Sequence, residues 1–297
     1  MPSCTPGGST TVHYGFCLPA DGETSWGNAY RSTMTAIDQE IFNVGIPRSY
    51  LAGMQTTPTQ SSTSISIGVG VAMGNDQSTA IRLTSALVKQ LHNTWAVGTG
   101  NGGLYAATSI QGNQVYHLHA ILRTDTSVVD AYFDTVATAV NIPSPYTIYR
   151  RLASFTTDGN SNIESYVQDG DYFQMATAVI DFNTAGASGN AITQRLASIP
   201  SGVNMHAHMN VMFLNSAGGV ADFIYISDLA VQDQAPSTSA APGVTVAGIG
   251  NASIMGQGPK SVRTNVAGQV RVRYSSTGNG TVTIVSTGWT DSRGRND

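Results

Sequence analysis

Apolar residues in this chain recur at every second position, in short runs broken by turn residues. That period of two constrains the fold more than any other feature. Ile65, Ile67, Val69, Val71 and Met73 alternate with small or polar residues. Tyr116, Leu118, Ala120 and Leu122 do the same, as do Val203, Met205, Ala207, Met209, Val211 and Phe213. Successive strand side chains point to opposite faces, so each run describes one buried and one polar face. Ile81 and Leu83 continue the pattern, and Val270, Val272 and Tyr274 lead through Gly278-Asn279-Gly280 to Val282 and Ile284, which predicts a hairpin. Turn signals recur at Gly74-Asn75-Asp76, in the glycine-rich stretch 98–103, and at Asp158-Gly159-Asn160, Asp169-Gly170-Asp171 and Ala217-Gly218-Gly219. Many short strands joined this way predict a mainly β fold, an antiparallel β-sandwich of jelly-roll type over residues 46–297. Residues 233–243 read as a long loop inside that domain, and residues 128–140 fit helix or strand equally.

One segment breaks the rule. Trp26, Tyr30, Met34, Ile37 and Ile41 are spaced by three and four, so they share one face of a helix. Asn28, Arg31, Ser32, Thr35, Asp38 and Gln39 cover much of the remainder. Asp21, Glu23 and Thr24 supply capping and acidic groups at the start, and Gly45 and Pro47 end it. The chain therefore divides into a flexible leader at 1–20, an amphipathic attachment helix at 21–45 and the β-domain. The stripe must bury against the β-domain, against copies of itself, or against another protein.

Charge excludes several functions. Lys and Arg number 14 against 18 Asp and Glu, and only Lys89 and Lys260 are lysines. With no basic field to neutralise phosphates, nucleic acid is not an expected partner. The 41% apolar content suffices for a core, yet no run approaches the roughly 18 apolar residues of a membrane span. The first residues carry neither a basic start nor an apolar run, so synthesis and assembly in a cytoplasm are expected. Cys4 and Cys17 fit neither a zinc pattern nor a disulfide framework, and free thiols are expected, with a small loop disulfide as the alternative.

Catalytic signatures are scarce. Only Glu23, Glu40 and Glu164 are glutamates, so the paired carboxylates of glycoside hydrolysis would have to come mainly from aspartates. Asp169 and Asp171 flank Gly170 in a turn, where Asp serves backbone geometry. The glycines at 98–103 lack the lysine and the strand–helix setting of a phosphate loop. No enzyme activity and no cofactor are expected. Arg150-Arg151 and Arg271-x-Arg273 fall on predicted strands, where surface or inter-subunit pairing with aspartates accounts for them. Aromatic platforms for a sugar would come from Trp95, Tyr105 or Trp289, with core packing the competing role.

Three runs carry a resemblance. LPADGETSWGNAYRSTMTAIDQEIF, with Leu18, Pro19, Gly22, Trp26, Gly27, Ile37 and Asp38 in register, resembles the attachment segment of fibre and appendage proteins of tailed bacteriophages. IYRRLASFTTDGNSNIESYVQDGDYF resembles a segment recurring in phage tail-fibre and other structural proteins, and the ending TGWTDSRGR is similar to theirs. The resemblance implies a virion structural protein, commonly trimeric. It would dock on capsid, neck or tail proteins through its N-terminal segment and display a β-rich domain for host-surface binding, to a glycan for example. The alternatives are a capsid cement or decoration protein and, from a different class, a short tailspike depolymerase. In such proteins H-x-H pairs from three chains can surround one metal, which singles out His117/His119 and His206/His208. Both pairs lie opposite apolar stripes, which predicts an outer polar face and no metal.

Overall fold

The computed structural model describes residues 9–10, 17–18, 25–44, 47–60, 62–105, 109–185, 190–215, 221–237, 246–249, 255–275 and 280–295. In the N-terminal region β1 (Ser9–Thr10) pairs antiparallel with β2 (Cys17–Leu18), and helix α1 spans Ser25–Val44. The rest of the leader, Cys4 included, and the side chains of Cys17 and Trp26 lie outside the described residues. Among the described residues, everything after the helix is strand, turn and loop.

The first half contributes β3 (Leu51–Gly53), β4 (Thr56–Pro58), β5 (Ser64–Ile67), β6 (Gly70–Met73), β7 (Ala80–Leu83) and β8 (Leu87–Thr94). It continues with β9 (Asn101–Leu104), β10 (Val115–Leu122), β11 (Val129–Asp134) and β12 (Ile148–Thr156). They build a seven-stranded sheet in the order β12-β10-β11-β9-β8-β5-β4 and a three-stranded sheet β3-β6-β7. The alternating run from Ile65 to Met73 is not one strand. It splits between the two sheets at Gly68-Val69-Gly70, leaving Val69 exposed. Gly70 is required there, because a Cβ would lie 2.4 Å from the Ala52 carbonyl oxygen of the neighbouring antiparallel strand β3.

The expectation of a wholly antiparallel body is also corrected, since β9 runs parallel to both β8 and β11. The link 95–100 folds back beside β8, where Lys89 Nζ donates to the carbonyls of Ala96 (2.7 Å) and Gly98 (3.2 Å). The ambiguous segment 128–140 is strand β11 followed by turns.

The second half contributes β13 (Tyr166–Asp169), β14 (Tyr172–Ala185), β15 (Ile192–Arg195), β16 (His206–Asn215), β17 (Ala221–Ser227), β18 (Val246–Ile249), β19 (Met255–Arg263), β20 (Gln269–Tyr274) and β21 (Gly280–Thr290). Two sheets result, ordered β13-β14-β21-β16-β19 and β15-β20-β17-β18. The antiparallel pairs are nested: β14 with β21, β15 with β20, β16 with β19 and β17 with β18. The predicted hairpin of β20 with β21 is therefore absent. Those strands sit in different sheets, and both turn their apolar residues towards one core. That core holds Met209, Val211 and Phe213 of β16, Val282 and Ile284 of β21, Ile224 and Ile226 of β17, and Val270 and Val272 of β20. Each such side chain contributes roughly 1.5–3 kcal/mol when fully buried. The loop after β17 is tied at its start, because Asp233 pairs with Arg273 and lies 4.0 Å from Arg271. Residues 238–243 of it lie outside the described residues.

The same apolar cluster continues through Phe133, Leu152 and Phe155 of the first half, so the two halves share one core. Their junction is polar as well. Behind β21 the tail returns across β12, and Arg151 Nη1 donates to the Asp291 carboxylate at 2.5 Å with both side chains buried. Arg293 donates to the carbonyls of Leu152 (2.9 Å) and Met54 (2.5 Å). Arg150 donates to the carbonyls of Arg293 (2.8 Å) and Met73 (3.3 Å). The expected surface pairing of Arg150 and Arg151 is thus corrected: both are buried, because the returning tail covers strand β12.

Candidate functional site

Four places bear on the expected sites, beginning with the helix. Tyr30, Ile37 and Ile41 of the predicted stripe are 45%, 41% and 43% exposed, and Met34 is partly covered. The side turned inward carries Arg31, Met34 and Asp38, with Asp38 fully buried. Among the described side chains the helix thus buries Asp38 and leaves Tyr30, Ile37 and Ile41 of its apolar stripe partly exposed.

The second place is His117 and His119 on β10. They do not lie on an outer face, because β10 is covered on both sides and both rings are buried. His117 Nδ1 is 2.8 Å from Ser154 Oγ, which also receives a hydrogen bond from Arg151 (3.0 Å). His119 Nε2 is 2.9 Å from the Ala137 carbonyl, and since a carbonyl only accepts, this nitrogen carries the proton. The His119 ring stacks on Tyr132 at 5.4 Å and meets Tyr149 edge-on. Burial pushes its imidazole down to about 4, opposed by the Ala137 hydrogen bond and helped by the nearby Arg151 charge. Burial, then His119 and Arg151, holds His117 well below the ordinary histidine range. Both imidazoles are therefore neutral at pH 7 and packed near the Arg151 guanidinium. No group of three or more His, Cys, Asp or Glu suited to a metal occurs among the described residues.

The third place is His206 and His208 on β16, where the outer-face expectation fits. His206 is exposed and His208 half-buried, with His208 Nε2 2.7 Å from Thr290 Oγ1. Tyr172 meets the His208 ring edge-on at 5.1 Å. Burial, then the neighbouring His206, lowers the His208 imidazole. His206 also borders a cleft of about 670 Å³ where the turn at Ala137 and Thr138 approaches the second half. Asn204, Arg263, Val266, Thr290, Ser292 and an Asp171–Arg295 ion pair complete most of its wall. Sequence reading missed this cleft, because its residues come from five separate segments.

The fourth place is the set of proposed sugar platforms. Trp289 is 2% exposed, stacked on Phe173 at 5.4 Å and met by Tyr166, so it is a core ring closed to ligands. Trp95 is partly buried, donates its indole N–H to the Ala131 carbonyl (3.0 Å) and packs edge-on against Tyr146. Tyr105 is partly buried, with its hydroxyl 3.2 Å from Thr135 Oγ1. Beneath Trp95 lies a buried ion pair that sequence reading also missed. Lys89 Nζ is 3.1 Å from Asp130, whose other oxygen accepts the Gly98 N–H (2.8 Å). The glycine-rich stretch is therefore a clamped structural loop.

No family model matches the chain, and no curated protein matches it.

Proposed function

We propose that this protein is an appendage of a bacteriophage virion, attached through its N-terminal segment and displaying its β-rich body to the host surface. The observation that carries the reading is the orientation of α1. An amphipathic helix that turns Arg31 and Asp38 inward while Tyr30, Ile37 and Ile41 stay exposed is built to be covered by something outside its own fold. With each of the three a little over two-fifths exposed, covering them recovers somewhat under half of the roughly 1.5–3 kcal/mol that full burial of a large side chain is worth. Three copies of the chain sharing that stripe give a homotrimer whose joined helices seat on capsid, neck or tail proteins.

The nested pairing of β14 with β21, β15 with β20, β16 with β19 and β17 with β18 supports a jelly roll for the second half of the displayed body only, not for the whole of residues 46–297. That order is a long hairpin of four strand pairs rolled into two facing sheets, an architecture shared by capsid and lectin domains.

Light scattering on the full chain tests the assembly, with three times 31.0 kDa expected. Ile37→Asp should give monomers with an unchanged melting temperature, and should abolish incorporation when supplied to particles lacking the protein. A wild-type monomer at micromolar concentration refutes the trimer. Full incorporation of Ile37→Asp refutes the attachment role.

A further inference from the structure

We infer that the cleft between the Ala137–Thr138 turn and the five-stranded sheet is a binding site for a neutral saccharide; the inference deepens the display reading, on which it rests. Three observations converge. The cleft, at about 670 Å³, falls within the ~300–1,000 Å³ typical of small-molecule sites. Its polar groups suit hydroxyls. The half-exposed Asp171–Arg295 pair offers carboxylate acceptors beside guanidinium donors, which matches a vicinal diol whose hydroxyls both donate and accept. Asn204, Ser292 and Thr290 add neutral groups of both kinds, while Val203 and Val266 supply apolar surface for C–H faces. An anionic ligand is disfavoured, because both arginines of the wall already hold carboxylates: Arg295 holds Asp171, and Arg263 holds Asp228 at 2.9 Å.

The wall is also pre-formed, which lowers the ordering cost of binding. Gly202 donates to the Val266 carbonyl (2.7 Å), and Thr264 donates to the Met205 carbonyl (2.7 Å). Gly202 has a φ of +94°, and a Cβ there would lie 2.7 Å from His117 Nε2, so the buried imidazole props the loop from behind. On the opposite wall Asp291 N–H donates to the Asp171 carbonyl (2.9 Å) and Arg295 N–H to the Ser292 carbonyl (3.1 Å). Beside the mouth, Tyr172 pairs across strands with Thr290 and offers a half-buried ring on which a further sugar unit can stack.

The full chain is tested on immobilised oligosaccharides built from glucose, galactose, mannose, rhamnose and N-acetylglucosamine, alongside sialylated and uronic-acid-bearing counterparts. Saturable binding to a neutral member is expected. Asn204→Ala and Asp171→Asn should each weaken it roughly tenfold, the scale of one lost ligand hydrogen bond. Arg123→Ala, which breaks an exposed pair with Asp125 outside the cleft, should leave it unchanged. Melting temperatures of the variants confirm that the fold is kept. Binding to no neutral member, binding to acidic members alone, or binding that survives both cleft variants overturns the assignment. Incorporation into particles without glycan binding refutes the ligand and leaves the attachment role standing; glycan binding without incorporation does the reverse.

Discussion

Replacing Asp291 with Ala puts the junction between the two halves to a quantitative test. Its carboxylate receives Arg151 at 2.5 Å and the Arg293 N–H at 2.8 Å, and none of these side chains reaches solvent to any extent. Removing the anion leaves the Arg151 guanidinium buried without its counter-charge, a change worth about 3–5 kcal/mol. The lost Arg293 hydrogen bond adds about 1 kcal/mol. For a chain of this size each kcal/mol lowers the melting temperature by roughly 2–4 °C, so a fall on the order of 10 °C is expected. Asp291→Asn keeps an acceptor for Arg293 and should lose about half as much. The double variant Arg151→Met/Asp291→Leu removes both charges and should be more stable than Asp291→Ala, because no ion is stranded. Urea unfolding followed by tryptophan fluorescence is suited to the measurement, since Trp289 sits two residues before Asp291 in the core. If Asp291→Ala stays within about 0.5 kcal/mol of the parent, the pair does not hold the halves together and the reasoning fails.

Acid should weaken the fold through His119, whose imidazole is held at about 4 when folded against an ordinary value of 6.5. The unfolded chain binds the proton first, so this contribution is complete above pH 6.5 and is lost as pH falls from 6.5 towards 4, by about 3 kcal/mol. His119→Gln should flatten the dependence of the urea midpoint over that window, and an unchanged slope would rule the residue out as its source. Lys89→Met strands the Asp130 carboxylate and should cost about 3–5 kcal/mol. It should also speed amide exchange at Gly98 and Gly100, whose N–H groups donate to Asp130 and to the Val88 carbonyl. Unaltered exchange there would show that the loop holds itself.

The strands were legible wherever one face is apolar and the other polar. His206 to Phe213 is the plainest case: Ala207, Met209, Val211 and Phe213 are buried, as their alternation predicts. The helix was legible too, within a few residues of its ends. Strand partners were not, because alternation fixes which way a side chain points and says nothing about which sheet lies opposite. Hence β20 and β21 read as a hairpin. Burial of charge also escaped, although a signal existed. His117 and His119 share their face with Ile121, and Lys89 shares its own with Leu87 and Leu91, so each polar group sits on a partly apolar face. Arg151 gave no such signal, because the register shifts beside it: Arg151 lies opposite His119 but Ala153 lies opposite Leu118, so the alternation of β12 breaks between them. The cleft left no such trace, since Asn204, Asp171 and Arg295 come together only through the tertiary fold.

The nested pairing has a consequence for how the chain reaches its native state. The innermost pair, β17 with β18, lies close in sequence and can form early. The outermost, β14 with β21, joins segments about a hundred residues apart and carries the steepest loop-closure cost. Moreover β21 is the middle strand of its sheet, flanked by β14 and β16. Until it inserts, two long strands present unpaired hydrogen-bonding edges to any other chain nearby. The same late segment carries Asp291 and Arg293 into the junction. Completing the two sheets of the second half and fastening them to the first half are therefore one kinetic event, and the interval before it is when this protein is most prone to aggregate.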